Sequence, residues 1–325
     1  MKETKERSAY IDLLRALAIL IMLLANISPY FFIVDTPVSV RILYSMAAPT
    51  FVFLSGYSAF KFSNSNTFAF WRVLFAAVII DIFIWKSLPF HSFDVLYVIA
   101  FTILSVHFFK KTHVHFQHII FILVFLTWII GAVYFPYRFE FSNQKFDFIN
   151  SIQRLFIDGW FPLLPWILIG WTGMYFAKFD LLHQAWLKWM GLTIFLYGLL
   201  HIYTHPINPD RDGYLEIFYP VSLSFLCLSI GFITVLLFIL KHWNPSLSKN
   251  NALGIIGRNS LFAYLMHCVV LSFAISKMNI KVNSTNLIIT WSVLILFIVI
   301  LCYAKEKYIP NTKTLPKWLR LLTGF

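Results

Sequence analysis

Ten stretches of this 325-residue chain are continuously apolar for close to twenty residues. They run approximately over 10–33, 41–61, 67–85, 93–109, 116–134, 159–177, 186–203, 217–240, 253–275 and 286–304. A helix needs about 20 apolar residues to cross a hydrocarbon core about 30 Å thick, so these lengths point to membrane spans. The runs do not alternate over about ten residues, which argues against a β-barrel. Composition agrees: 59% of the chain is hydrophobic and 12% charged, against roughly a quarter charged in soluble domains. A chain of this length cannot hide so much apolar surface from water in a soluble core. The expected fold is therefore all-α, a polytopic transmembrane helix bundle of about ten spans, with residues 1–325 as one integral-membrane domain.

Lys and Arg set the expected orientation. With the N-terminus inside, about fifteen fall in inner loops and about eight in outer ones, which puts both termini in the cytoplasm. The net charge of +12 is spread over these loops, so it reads as topology and the expectation is no nucleic acid. Cys227, Cys268 and Cys302 all lie in apolar runs, which gives neither a disulfide framework nor a zinc site. The charged start MKETKERSAY leads into a long span without a small-residue cleavage site, so no removable signal peptide is expected. The aromatic and polar stretch 135–158 suits a re-entrant or interfacial helix, and the Pro-rich stretch 204–216 an exposed loop. The basic tail from Ala304 to Phe325 is expected on the inner headgroup surface.

Polar groups inside spans are costly and carry functional suspicion. The first span holds Asp12, Arg15 and Asn26, and the second Arg41, Pro49, Ser55 and Gly56. Asp12 and Arg15 share a helix face and can simply pair. Alternatively Arg15, with Arg72 and Arg258, forms a cationic mouth for a phosphorylated donor, because the guanidinium fork matches phosphate. Asn26 lies about three turns beyond Arg15. His201 and His205 are four apart on one face, and His267 sits deep in its span. A histidine pair holds metal only with a third ligand and a supporting carboxylate, so no metal is expected. Span histidines more often satisfy packing, yet several around one outer cavity could serve as bases near neutral pH. His91 and Asp94 flank the start of the fourth span, and Asp158 precedes the sixth. Asp81 reads most simply as a carboxylate paired to a neighbouring span.

The run WFPLLPWILIGWTG (160–173) carries prolines at a span start and glycines for close helix contact. Trp160, Pro162 and Trp166 there are packing residues or pocket walls. In LGIIGRNSLFAYLMH (253–267), Arg258 and Asn259 open a span and Tyr264 and His267 face one way. That arrangement suits a long donor threaded from the cytoplasm to meet an acceptor at or beyond the midplane.

At these residues the chain resembles the transmembrane acyltransferase superfamily, and most closely the heparan-α-glucosaminide N-acetyltransferase catalytic-domain family, with the acyltransferase-3 family as near relative. The matching pieces are Arg7 to Met22, APTFVFLSGYS (48–58), DVLYVIAFTIL (94–104), FPLLPWILIGWTGMYFAK (161–178) and GRNSLFAYLMH (257–267). The resemblance implies transfer of an acetyl or short acyl group from cytosolic acyl-CoA, acetyl-CoA above all, to a hydroxyl or amine. The implied acceptor is a carbohydrate or other cell-envelope group at the outer face. A bacterial inner (plasma) membrane is the expected location, and a second copy of the chain is a candidate partner. Arg15 fits the family's first-span Arg. Asn26 stands where relatives carry His, and Tyr97 where the fourth-span motif often has His. The pattern at Asn259, Ser260, Tyr264 and His267 is intact.

Arg15, Arg72, Arg258, Asn259 and Ser260 are thus the candidate donor-binding residues. His267 is the candidate base and His201 the second choice, with Asn26 or Tyr264 bonding the carbonyl oxygen. Two rival readings are a transporter or flippase using Asp81, His201 and His267, and a catalytically inactive acyltransferase-like binding protein. Broken helices and inverted repeats, the usual pointers to transporters, are not evident in the sequence.

Overall fold

The computed structural model describes residues 8–31, 36–62, 67–91, 93–134, 152–205, 216–219, 221–243, 248, 250–273 and 284–309. Every one of the ten apolar stretches contains a helix: α1 Ala9–Ile27, α2 Val38–Ser45, α3 Ala47–Lys61, α4 Phe68–Ile79, α5 Val95–Phe109, α6 Val114–Tyr134, α7 Leu163–Lys178, α8 Ala185–Thr204, α9 Leu223–Trp243, α10 Ala252–Arg258, α11 Ser260–Phe273 and α12 Ser284–Tyr308. No strand occurs among the described residues.

Among the described residues, seven helices are long and apolar enough to cross a membrane, or eight if α10 and α11 together make one bent span. α5 has 15 residues and α7 has 16, short of the length a span needs. α2 and α3 count as one span, Val38–Lys61, and α4 continues through a π-helical turn, Ile80–Trp85.

α1 is the axis of the bundle. It touches α2, α3, α9, α10, α11 and α12, and 61% of its most apolar window is buried, against 11% for α6 and 22% for α12. A helix apolar all round belongs inside, and one whose apolar residues stay exposed belongs against lipid. In lipid, close packing takes the place of the hydrophobic drive between helices. Three glycines supply it here. A Cβ at Gly56 would stand 1.8 Å from the carbonyl oxygen of Gly170, and one at Gly173 2.0 Å from that of Phe53, so α3 and α7 meet backbone to backbone. A Cβ at Gly257 would stand 2.0 Å from the carbonyl oxygen of Asp12, which holds α10 on α1.

The ninth apolar stretch departs from the expectation of one continuous span. α10 and α11 meet at an angle of 92°. Asn259, at the break, has φ −108° and ψ 26°, outside the helical range. Its N–H still donates to the carbonyl oxygens of Ile255 and Ile256, both at 3.1 Å, and its Nδ2 adds a second bond to the Ile255 carbonyl at 2.9 Å, so the side chain caps the end of α10. Its own carbonyl accepts from Ala263 N–H at 2.8 Å and so starts α11. An asparagine after Gly254 and Gly257 gives no clear break in sequence, because the bend depends on α10 lying against α1.

Of the stretch 135–158, the short π-helical turn Arg154–Asp158 is described, and most of the expected interfacial helix lies outside the described residues. The greater part of loop 204–216 does too. The tail begins as helix, since α12 continues to Tyr308, and residues from 310 onward lie outside the described ones.

Candidate active site

Two chambers lie along α1. The first, about 370 Å³, is lined by Arg15, Ser55, Ser58, Arg72, Ser260 and Tyr264 with apolar neighbours from α3 and α5. The second, about 530 Å³, is lined by Asn26, Asp94, Trp160, Glu216, Tyr264 and His267 among others. Phe51, Val95 and Tyr264 belong to both walls, so a single layer of side chains separates the chambers.

Arg15 and Arg72 make the first chamber cationic. Arg15 Nη1 donates to Asp12 Oδ1 at 2.8 Å, and Nη2 donates to Ser58 Oγ at 2.6 Å. The ion pair on one helix face is therefore present, and it also holds the guanidinium against α3. Nε of Arg72 is buried without a hydrogen-bond partner among the described residues. Ser260 and Leu261, the first residues of α11, stand in the same wall. Their backbone N–H groups belong to a helix start, where negative charge is favoured. The 92° bend is what turns that helix end toward the arginines.

Arg258 and Asn259 stand elsewhere. Arg258 donates from Nε and Nη2 to the two carboxylate oxygens of Glu306, at 3.0 and 3.1 Å, and Asn259 Nδ2 donates to Glu306 Oε1 at 2.8 Å. Neither residue lines the first chamber. The fork pairs α10 with α12 and fixes the break in the ninth apolar stretch.

In the second chamber His267 is buried. Its Nδ1 contacts the backbone carbonyl oxygen of Tyr264. A carbonyl only accepts, so Nδ1 carries the proton and Nε2 holds a lone pair. Nε2 in turn accepts from Nδ2 of Asn26 at 3.0 Å. Tyr264 donates its hydroxyl to Asp94 Oδ2 at 2.9 Å, while Asp94 Oδ1 caps α5 by accepting from Val95 N–H at 2.6 Å. Asp94 is thus a chamber residue whose hydrogen bond fixes the tyrosine between the two chambers.

Of the remaining candidates, His201, Asp81, His91 and Trp166 line neither chamber. His201 Nδ1 is 2.8 Å from Ser224 Oγ, tying α8 to α9, and its ring stacks on His205 at 3.9 Å. It lines neither chamber. Asp81 is buried and accepts from the Tyr97 hydroxyl at 2.5 Å and from Phe90 N–H at 3.1 Å. It is the paired carboxylate its sequence position suggests, and Tyr97 is its partner. His91, in the loop before α5, accepts at Nδ1 from Arg154 at 2.7 Å. Burial and the adjacent guanidinium push its pKa below the ordinary histidine value. Trp166 is fully buried packing, whereas Trp160 walls the second chamber. Among the described residues no three His, Cys, Asp or Glu side chains stand together as metal ligands.

Sequence reasoning left two chamber residues without a role. Asp94 was visible only as a charge near a span start, and the cap it makes could have been read from its place before an apolar run. Glu216 closes a stretch that reads as exposed loop, and nothing in its local sequence signals that it faces a buried chamber.

The helices and the two chambers define an integral membrane protein with a polar reaction-sized interior. Its residues 7–200 match the family described as heparan-alpha-glucosaminide N-acetyltransferase, catalytic. The chain belongs to that family, whose members are membrane acetyltransferases with acetyl-CoA as donor. No curated protein matches the chain significantly.

Proposed function

We propose that the protein transfers an acetyl or short acyl group from acyl-CoA to a hydroxyl or amine of a carbohydrate-type acceptor. The single observation that carries this is the His267 tautomer. An imidazole whose Nδ1 is committed to a backbone carbonyl offers Nε2 as a base in a polar chamber. One side-chain layer away lies a chamber suited to the donor's phosphates.

Arg15 and Arg72, with the start of α11 at Ser260, would hold the phosphates. Arg15 and Asn26 are eleven residues apart on α1, or about 16 Å along a helix axis. The donor's arm would run that way, past Tyr264, with its thioester at the Phe51–Val95–Tyr264 layer. An acceptor hydroxyl or amine takes the place of the Asn26 N–H at Nε2. Nε2 then removes its proton as the acceptor oxygen or nitrogen bonds to the thioester carbon. Asn26 carries two N–H groups, and once displaced it can donate to the carbonyl oxygen as negative charge grows there. When the carbon–sulfur bond breaks, the departing thiolate takes the proton back from Nε2. Asn26 need not be a base in this scheme, which reconciles its identity with acetyl transfer.

The test is radiolabelled acetyl-CoA with the purified protein in lipid nanodiscs. Label should appear in an added glycan acceptor or be released as acetate, and His267→Ala should lose both. A folded protein that neither binds nor consumes acetyl-CoA would exclude the reading.

One observation favours a rival. Ser260, just past the 92° break between α10 and α11, lines the first chamber, and interrupted helices are common at transporter binding sites. A transporter would move a polar solute into proteoliposomes without consuming acetyl-CoA, and the two assays together separate the readings.

A further inference from the structure

A third cavity, about 320 Å³, lies beside the His267 chamber. Thr127, Trp128, Ile130 and Gly131 of α6 form one wall, and the approach to α7 forms another. Trp160, Phe218 and Tyr219 line both this cavity and the His267 chamber. The three rings pack on one another, Phe218 on Tyr219 at 4.4 Å and Trp160 on Tyr219 at 5.0 Å.

The two spaces differ in chemistry. The His267 chamber presents Asn26, Asp94, Glu216 and His267, and the third cavity presents no Asp, Glu, His, Lys or Arg side chain among the described residues. The third cavity also sits against the helix with the least buried apolar window. Ile130 is 56% exposed and Ile157 39% exposed while both line it, so its rim reaches the face that α6 turns to lipid. A polar solute entering from water has no use for such a space. A hydrocarbon chain already in the bilayer gains free energy by filling it, since packing against protein replaces a void.

We propose that this cavity seats the hydrocarbon chain of an amphipathic acceptor. The acceptor's sugar-type headgroup stands beside His267, and the molecule passes from one space to the other between Trp160, Phe218 and Tyr219. The inference rests on the acetyl-transfer reading for the role of the headgroup, and on the cavity alone for the chain.

Gly131 gives a direct test. A Cβ there meets no atom within 4 Å, so Gly131→Trp can start a bulky side chain at the cavity wall without a clash at Cβ. Ile122→Trp, on the lipid-exposed part of the same helix, is the control. The probe is dodecyl β-D-glucoside carrying a diazirine on its chain, photolysed with the protein in nanodiscs and mapped by peptide sequencing. Label is expected on Thr127, Trp128 and Trp160, and should be lost in Gly131→Trp but kept in Ile122→Trp. Label confined to lipid-facing residues such as Ile119 and Ile122 overturns the proposal. In parallel, the rate of acetyl-CoA consumption is compared with dodecyl glucoside and with glucose. The chain-bearing sugar should be preferred by the native protein, and Gly131→Trp should cut that preference by about tenfold, the effect of excluding about two methylenes. Cavity labelling with no change in preference means a structural lipid only, and also overturns it. Absence of acetyl-CoA consumption under every condition defeats the acetyl-transfer reading, while the labelling map still decides whether the cavity takes a chain.

Discussion

Nδ2 of Asn26 lies 3.0 Å from Nε2 of His267, across 241 residues of sequence. The contact joins the last turn of the central helix to the middle of α11, and it places an amide donor at the one imidazole nitrogen free to act as a base. If His267 takes the acceptor's proton, Asn26 serves it twice, first by holding Nε2 ready and then by donating to the carbonyl oxygen.

Asn26→Ala should therefore lower kcat about 100- to 1,000-fold with a small change in the KM for acetyl-CoA, the usual cost of losing one donor to a developing oxyanion. Asn26→Asp should not rescue, because a carboxylate accepts where a donor is needed. Steady-state rates with labelled acetyl-CoA decide this, and an Asn26→Ala protein at native rate would remove Asn26 from the mechanism.

Arg72→Gln should raise the KM for acetyl-CoA about tenfold or more while kcat changes little, since a phosphate contact is made equally in ground and transition states. The Nε of Arg72 is buried with no hydrogen-bond partner among the described residues. Binding of desulfo-CoA, which keeps the phosphates and lacks the thiol, gives the same answer by calorimetry without turnover.

Arg15→Ala should behave differently. It leaves the buried Asp12 carboxylate without the guanidinium now 2.8 Å away, and breaking a charge pair by removing one partner is destabilising. Loss of folded protein in a thermal-shift assay is expected, and the double change Asp12→Asn with Arg15→Gln should recover much of the stability while donor affinity stays low.

Glu306→Gln should loosen the break in the ninth apolar stretch. Glu306 receives both Arg258 and Asn259, and neutralising it weakens three charge-assisted hydrogen bonds. A drop in thermal stability with raised KM for acetyl-CoA is expected, because the start of α11 loses its fixed direction toward the first chamber. An unchanged KM in the folded variant would separate this ion pair from donor binding.

Gly56→Ala and Gly173→Ala should each destabilise the α3–α7 pair, as an added methyl would stand 1.8 or 2.0 Å from a carbonyl oxygen of the facing helix. Overpacking of this kind costs about 1–3 kcal/mol or more. Gly131→Ala, with open space around it, should leave the melting temperature as it is, and a scan of the three variants in one detergent checks the contrast.

The sequence by itself determined that this is a helical membrane protein, because apolar runs of span length have no other stable home. It also marked Arg15, Asn26, Tyr264 and His267, since polar side chains in apolar runs stand out without any knowledge of neighbours. It could not determine which polar groups meet. Arg258 and Arg72 look alike in one dimension, yet one is taken up by Glu306 and the other lines a chamber. His201 and His267 look alike too, yet one binds a serine on a neighbouring helix and the other faces Asn26. Each of these outcomes depends on a contact between helices distant in sequence. The tertiary structure decided them through the backbone approach at Gly56, Gly173 and Gly257 and through the bend at Asn259, which Arg258 and Asn259 fix by bonding Glu306 on α12.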